Sequence, residues 1–376
     1  MKCSSDFLNE VTGQEVGVIR QDRVLNTFLD LVRLDGPVGG EEPVAAEVAA
    51  RLQALGCRVA RDAFGNVVAQ FAGLGDQTML INAHLDCVQP CLGILPVVDG
   101  DTVRSDGTTV LGADNRAGVA ATLEVLASLL EDGARHLPLE IVFTLGEEAG
   151  LLGAKALDYS MVQARWGLTL DASGPVGGCV VSTPWHDVIK ATIHGRAAHS
   201  GVEPEKGISA ILVAAQGIAA MKLGRIDDET TANIGKITGG TAMNIVAERV
   251  ELVGEARSRD EEKLKRQTSA MVQALDAAAA AAGARADIQV SRAYNGYNLA
   301  ESAPIVSRMV QAARSLGITP RLEATGGGSD ANIFHANGIT MLNLSAGYED
   351  AHTVRESIGV GELVRLATLV QAIIQF

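Results

Sequence analysis

The stretch Met79-Leu-Ile-Asn-Ala-His-Leu-Asp86 decides the reading of this chain, because an apolar run stops abruptly on a histidine and an aspartate two residues apart. It reads as a buried parallel strand whose carboxyl end delivers two polar side chains to one place. Residues i and i+2 of a strand share a face, so His84 is placed to bind a metal ion while Asp86 orients its ring. A lone pair of this kind is more often a hydrogen-bonded couple than a metal site. The same event recurs, however. Leu139-Glu-Ile-Val-Phe-Thr-Leu145 runs straight into Gly146-Glu-Glu-Ala-Gly150, and Trp166-Gly-Leu-Thr-Leu170 ends in Asp171. Val110-Leu-Gly-Ala-Asp-Asn-Arg116 introduces a helix over 118–131, with an apolar stripe of Val119, Leu123, Leu126 and Leu130 and with Asp114 or Asn115 at its start. The segment 347–356 delivers His352 just before a last helix over roughly 358–375. Strands ending in acidic residues, alternating with helices, are the pattern of an open parallel sheet that binds ligands at its carboxyl ends.

Outward from this centre, helical spacing predicts helices over 23–33 and 42–55, the second closed by Gly56, then strands over 57–62 and 66–71. The turn-rich run 99–107 reads as a loop. After about Pro184 the texture changes to alternating strands over 187–194 and 244–256 and amphipathic helices over 207–221 and 260–282. Strand, helix, strand, strand, helix, strand is the signature of a small α+β domain. From about Asn295 the first texture returns, with helices over 304–316 and 329–336 and a strand over 340–344. The expectation is an α/β fold with a mostly parallel sheet flanked by helices. Its catalytic domain is discontinuous, 1–184 and 293–376, and an α+β domain is inserted at 185–292.

At 376 residues the chain exceeds one ordinary core, and a net charge of −14 argues against nucleic acid or an anionic membrane as partner. The start, Met1-Lys-Cys-Ser-Ser-Asp6, lacks the apolar region of a signal peptide, and no apolar run is long enough to cross a bilayer, so a cytoplasmic protein is expected. The cysteines Cys3, Cys57, Cys87, Cys91 and Cys179 are odd in number, which fits reduced thiols. No second cysteine pair supports a structural zinc at Cys87 and Cys91.

Collected at strand ends and helix starts are His84, Asp86, Asp114, Glu147, Glu148, Asp171 and His352. Histidines and carboxylates are the ligand types of one or two zinc-like ions, and a carboxylate can bridge two of them. Such ions acidify a shared water and polarise a scissile carbonyl, while an unligated carboxylate acts as general base. Consecutive side chains leave the backbone in different directions, so one of Glu147 and Glu148 can bind metal while the other faces substrate. Taken singly, these residues are also solvated loop acids or a helix cap; their repeated placement weighs against that.

Ala83-His-Leu-Asp86, Gly112-Ala-Asp-Asn115, Gly146-Glu-Glu148, Leu170-Asp-Ala-Ser173 and Ala351-His-Thr353 resemble, in order, the five metal-site motifs of the di-zinc exopeptidase family that contains peptidase T, carboxypeptidase G and succinyl-diaminopimelate desuccinylase. The resemblance spans almost the whole chain. It implies His84 on one metal and His352 on the other, Asp114 bridging, Glu148 and Asp171 each completing one ion, Glu147 as base and Asp86 behind His84. Two divalent ions are implied, zinc first, with cobalt or manganese as alternatives. The inserted domain corresponds to the family's lid, through which many members form homodimers. Gly195-Arg-Ala-Ala-His199-Ser-Gly201 matches its lid motif, with His199 holding the substrate carbonyl. Asn244 and Arg259 lie where lid residues bind substrate, Arg259 being suited to a carboxylate. Gly326-Gly-Gly-Ser-Asp330 resembles the glycine-rich substrate loop, adding Gly328 and Ser329 to the binding residues. As a phosphate loop it fails, since no lysine follows.

Aspartate at position 171 and the Gly112–Gly118 motif look nearest to the peptidase T branch. The implied activity is a zinc aminopeptidase or tripeptidase acting on short peptides by attack of metal-bound hydroxide. The alternative is an amidohydrolase or carboxypeptidase of the same family, acting on N-acyl amino acids or dipeptides. A metal-holding scaffold without turnover would be expected to lack a ligand or the base, and every position is filled.

Overall fold

The computed structural model describes residues 18–375; Cys3 and the amino-terminal segment read above lie outside them. The chain forms two compact units, one of residues up to 181, 299–324 and from 329 onward, the other of 182–298 and 325–328.

The first unit is built on an eight-stranded sheet in the order Arg58–Arg61, Val67–Phe71, Leu139–Thr144, Met79–His84, Trp166–Ala172, Thr340–Ser345, Gly178–Ser182, Arg321–Ala324. Its four central strands, Leu139–Thr144 to Thr340–Ser345, are mutually parallel, and antiparallel strands flank them. Met79–His84 is buried at every position, the expected state of a central strand covered on both faces. The helices Ala113–Asp132 and Asp330–Ala336 are among those packed on the sheet. Gly118 makes the first of these contacts close. A Cβ there would stand 2.7 Å from the Leu170 carbonyl oxygen, next to Asp171.

Four sequence expectations need correction. The helix Ala113–Asp132 is buried on nearly all sides rather than along one stripe, and Leu130 of that stripe is 52% exposed. The run 99–107 is not a loop: Pro96–Asp99 and Thr102–Ser105 pair as a hairpin around Gly100 and Asp101, and the φ of +60° at Gly100 suits the first position of that two-residue turn. Val103 and Ser105 point inward while Thr102 and Arg104 face out, an alternation too short to stand out in sequence. The last helix begins at Val360, because Ser357–Gly359 is spent on pairing with that hairpin. In the second unit the strand expected from Asn244 begins at Arg249.

That second unit is a five-stranded antiparallel sheet in the order Gly224–Arg225, Thr230–Gly239, Arg249–Ser258, Trp185–His194, Arg285–Tyr294. The helices Ala210–Ala219 and Glu261–Ala282 pack on it. Asp260 caps the longer helix by accepting the Lys263 N–H at 2.9 Å, and Gly283, at φ +66°, ends it. Cys57, Cys87, Cys91 and Cys179 are free and buried. Among the described residues no helix is long and apolar enough to cross a membrane.

Candidate metal centre

The parallel central strands bring their carboxyl ends to one place. His84 is the last residue of its strand, and Asp171 lies near the end of Trp166–Ala172. Glu147 and Glu148 follow Leu139–Thr144 through a turn at Gly146, whose φ is +64°. Asp114 opens the helix Ala113–Asp132, and His352, itself at φ +64°, follows the short strand Tyr348–Glu349. His84 Nε2 stands 3.0 Å from Asp114 Oδ1 and 3.3 Å from Asp171 Oδ1. His352 Nε2 stands 3.3 Å from Asp114 Oδ2 and 2.9 Å from Glu148 Oε1. The two carboxylate oxygens of Asp114 therefore face different histidines. Donor atoms of His84, Asp114 and Glu148 all lie within 4.8 Å of one another.

His84, Asp171 and the glutamate turn are each held by polar partners behind them. His84 Nδ1 lies 3.0 Å from the Asp86 carbonyl oxygen and 3.4 Å from Asp86 Oδ1. With the proton on Nδ1 donated there, the Nε2 lone pair is left for a cation. The Asp86 carboxylate holds the glutamate turn: Oδ1 accepts the Glu147 N–H at 2.9 Å and Oδ2 the Glu148 N–H at 3.0 Å. Asp171 donates its N–H to Asn343 Oδ1 and accepts from Asn115 Nδ2, both at 3.0 Å. Glu356 accepts the N–H groups of Leu111, Gly112 and Asp114, each at 2.8 Å. The buried guanidinium of Arg116 donates to the Leu85 carbonyl. Sequence reasoning missed Asn115, Arg116, Asn343 and Glu356. Their task is to hold polar groups of other segments, and only the adjacency of Asn115 and Arg116 to Asp114 offered a signal.

Five carboxylates thus meet two imidazoles. Burial disfavours charge on His84, but Asp171, Asp114 and Asp86 together hold its pKa well above the ordinary imidazole value. Hydrogen bonds from His352 to Asp114 and Glu148 raise that histidine to about 10. Burial pushes Asp171 up to about 7, with Asp114 and Asp330 adding to the rise against the pull of His84. Burial, then the charge of Asp171, pushes Glu147 well above the usual carboxylate range. Burial opposes charge on Asp114 too, yet the two histidines hold its pKa down. Excess negative charge, with two imidazole nitrogens aimed into it, is the donor set that zinc-like ions take. The residues fit the pair of ions that the resemblance implies.

Asp330, 1% exposed, adds another acid close by. It accepts from the Thr144 hydroxyl and, at 3.4 Å, from Nδ2 of Asn82, two residues before His84, and burial raises it to about 6. Ser329 is buried and accepts from Asn343 Nδ2 at 3.2 Å, while its own N–H donates to Asn332 Oδ1 in capping the helix Asp330–Ala336.

The other sequence-predicted residues belong to the second unit. His199 and Asn244 adjoin there, since the Ser200 N–H donates to the Asn244 carbonyl at 3.0 Å and His199 bridges to Ile245. Arg259 follows the far end of the ten-residue strand Arg249–Ser258, about 30 Å from the end that pairs with His194. Its guanidinium donates to the Asp228 carbonyl at 3.2 Å. Arg257 lies 3.4 Å from both the Tyr294 hydroxyl and the Gly326 carbonyl oxygen. Gly328 lies against Tyr294, where a Cβ would come within 2.4 Å of the ring.

Residues 188–282 match the peptidase dimerisation domain and residues 66–197 match peptidase family M28. YqjE of Bacillus subtilis is 41% identical over 367 residues, 95% of this chain and 99% of that one. The crystal structure of aminopeptidase PepT from Bacillus cereus superposes with a TM-score of 0.88 at 42% identity, over 95% of this chain and 98% of the other. This chain belongs to the di-zinc exopeptidase family. Within that family it falls in the peptidase T-like branch. A tripeptidase structure from Staphylococcus aureus, 38% identical with a TM-score of 0.92, covers 96% of this chain and 99% of its own. As a member of this family the protein is a peptidase, a hydrolase of peptide bonds.

Proposed function

We propose that the protein is a metal-dependent aminopeptidase of short peptides, chiefly tripeptides, working at two adjacent divalent ions. The observation that carries this reading is the disposition of Asp114, with one oxygen 3.0 Å from His84 Nε2 and the other 3.3 Å from His352 Nε2. His84, Asp171 and Asp114 would hold one ion, His352, Glu148 and Asp114 the other. Zinc is the expected ion, and cobalt and manganese suit the same donors. Bound there, the ions supply Lewis acidity that acidifies a water and polarises the peptide carbonyl. Glu147 takes the proton of the attacking water on its carboxylate and passes it to the leaving amine nitrogen as the C–N bond breaks. A base of raised pKa is matched to both halves of that transfer. Asp86 acts by fixing the backbone of Glu147 and Glu148 and the ring of His84.

Gly328 and Ser329 are assigned to substrate binding together with Arg259 for a carboxylate, while His199 and Asn244, toward the opposite end of the strand from Arg259, are assigned to the substrate of the paired copy. The match of residues 188–282 to a peptidase dimerisation domain supports pairing of two copies through that unit. Four buried free cysteines support a cytoplasmic location. The names of the B. cereus and S. aureus proteins, an aminopeptidase and a tripeptidase, favour free peptides over acylated amino acids as substrates.

The test is a panel of free tripeptides, the same peptides with acetylated amino termini, and N-acyl amino acids, offered to zinc-reconstituted protein. Only the free tripeptides should be cleaved, at the first peptide bond. Cleavage of the N-acyl amino acids instead would assign the protein to the amidohydrolases of the family.

A further inference from the structure

The backbone that carries Asp114 departs from the helix it opens. Gly112 sits at φ +74°, and Asp114 (φ −80°, ψ 98°) and Asn115 (φ −125°, ψ 36°) are non-helical although they open the helix Ala113–Asp132. The N–H groups of Leu111, Gly112 and Asp114 turn to one acceptor, the 1% exposed carboxylate of Glu356. Oε2 takes the first two and Oε1 the third, each at 2.8 Å. Burying a carboxylate is costly unless it is hydrogen-bonded, and three charge-assisted bonds to fixed backbone donors meet that requirement. Glu356 also lies four residues beyond His352, in the same connection between Tyr348–Glu349 and Ser357–Gly359. One side chain therefore ties the segment bearing His352 to a segment more than 240 residues away that bears Asp114.

We propose that Glu356 is a positioning residue that sets the spacing between Asp114 and His352, so that the ion position shared by these two ligands forms only while Glu356 holds both segments. The proposal rests on the two-ion reading above. It assigns Glu356 no contact with substrate. Loss of the clamp weakens metal binding, and kcat falls through occupancy while KM for peptide stays put. Outer partners of metal ligands typically tune affinity by 10- to 100-fold.

The test substitutes Glu356→Gln, whose amide keeps the size but turns an N–H₂ group toward N–H donors. Metal-stripped protein is titrated with Co2+, following its visible absorption together with calorimetric binding. Glu140→Gln is the control. Glu140 is an equally buried carboxylate that accepts the N–H groups of Gln163 and Ala164, and none of those residues is a proposed ligand. Wild type and Glu140→Gln should bind two equivalents with the same spectrum. Glu356→Gln should bind at least one equivalent 10- to 100-fold more weakly, with an altered spectrum and an unchanged KM at saturating metal. Two equivalents bound by Glu356→Gln as tightly as by wild type, or equal weakening in Glu140→Gln, would overturn the proposal. A wild type that binds fewer than two ions would instead remove the two-ion reading beneath it. If Glu356→Gln does not fold, Glu356→Asp, which keeps the charge but withdraws it by one methylene, is read by the same criteria.

Discussion

Glu147→Gln is expected to lower kcat for a free tripeptide roughly a thousandfold, or about 4 kcal/mol of barrier, while metal content and KM stay near wild type. The expectation follows from how the turn is held. Asp86 fixes the backbone N–H groups of both Glu147 and Glu148, so an amide at position 147 leaves the turn in place and removes only the proton acceptor. Glu147 is not among the proposed ligands, which is why metal should remain. A variant that loses metal along with activity would assign Glu147 to the coordination shell. One that loses neither would leave the reaction without its base.

Asp114→Ala is expected to have the largest effect of all. Its two oxygens face His84 and His352 separately, so the substitution removes a ligand from both ion positions at once, and two like charges brought close would repel without the shared carboxylate between them. Both ions should be lost on dialysis and tripeptide hydrolysis should fall to background. Asp171→Ala is the contrast, since Asp171 Oδ1 lies 3.3 Å from His84 and carries only that half of the site. It should retain the ion on the His352 side. Elemental analysis of the dialysed variants separates the two cases. Equal losses in both would mean that the ions are not independently held.

The two variants also mark what can be read from the chain before its fold is known. The placement of His84, Asp171, Glu147 and Glu148 at the carboxyl ends of strands was legible because each follows an apolar run, and a buried parallel strand has few reasons to finish in charge. The second unit was legible as an α+β block from its change of period alone. Glu356 and Asn343 were not legible, because each accepts a backbone N–H far away in sequence and leaves no local pattern. The hairpin Pro96–Asp99 with Thr102–Ser105 was hidden for a related reason. Its partner strand, Ser357–Gly359, arrives from the other end of the chain and lies where sequence periodicity suggests helix. Leu130 shows the opposite error. A helix covered on nearly all sides shows no single stripe, so its outward position cannot be told from spacing. The placement of Arg259 beyond the far end of its strand from His199 likewise follows from tertiary register, which no motif records.

Whether hydrolysis depends on two ions is decided by titrating metal-stripped protein with Zn2+ and following bound ions and tripeptide hydrolysis in the same samples. Stripped protein should be inactive. Hydrolysis should return as two equivalents bind per chain, and Glu147→Gln should take up the same two equivalents without recovering activity. Undiminished hydrolysis in the stripped protein, or full activity without uptake of metal, would mean that the reaction does not run on a two-ion centre.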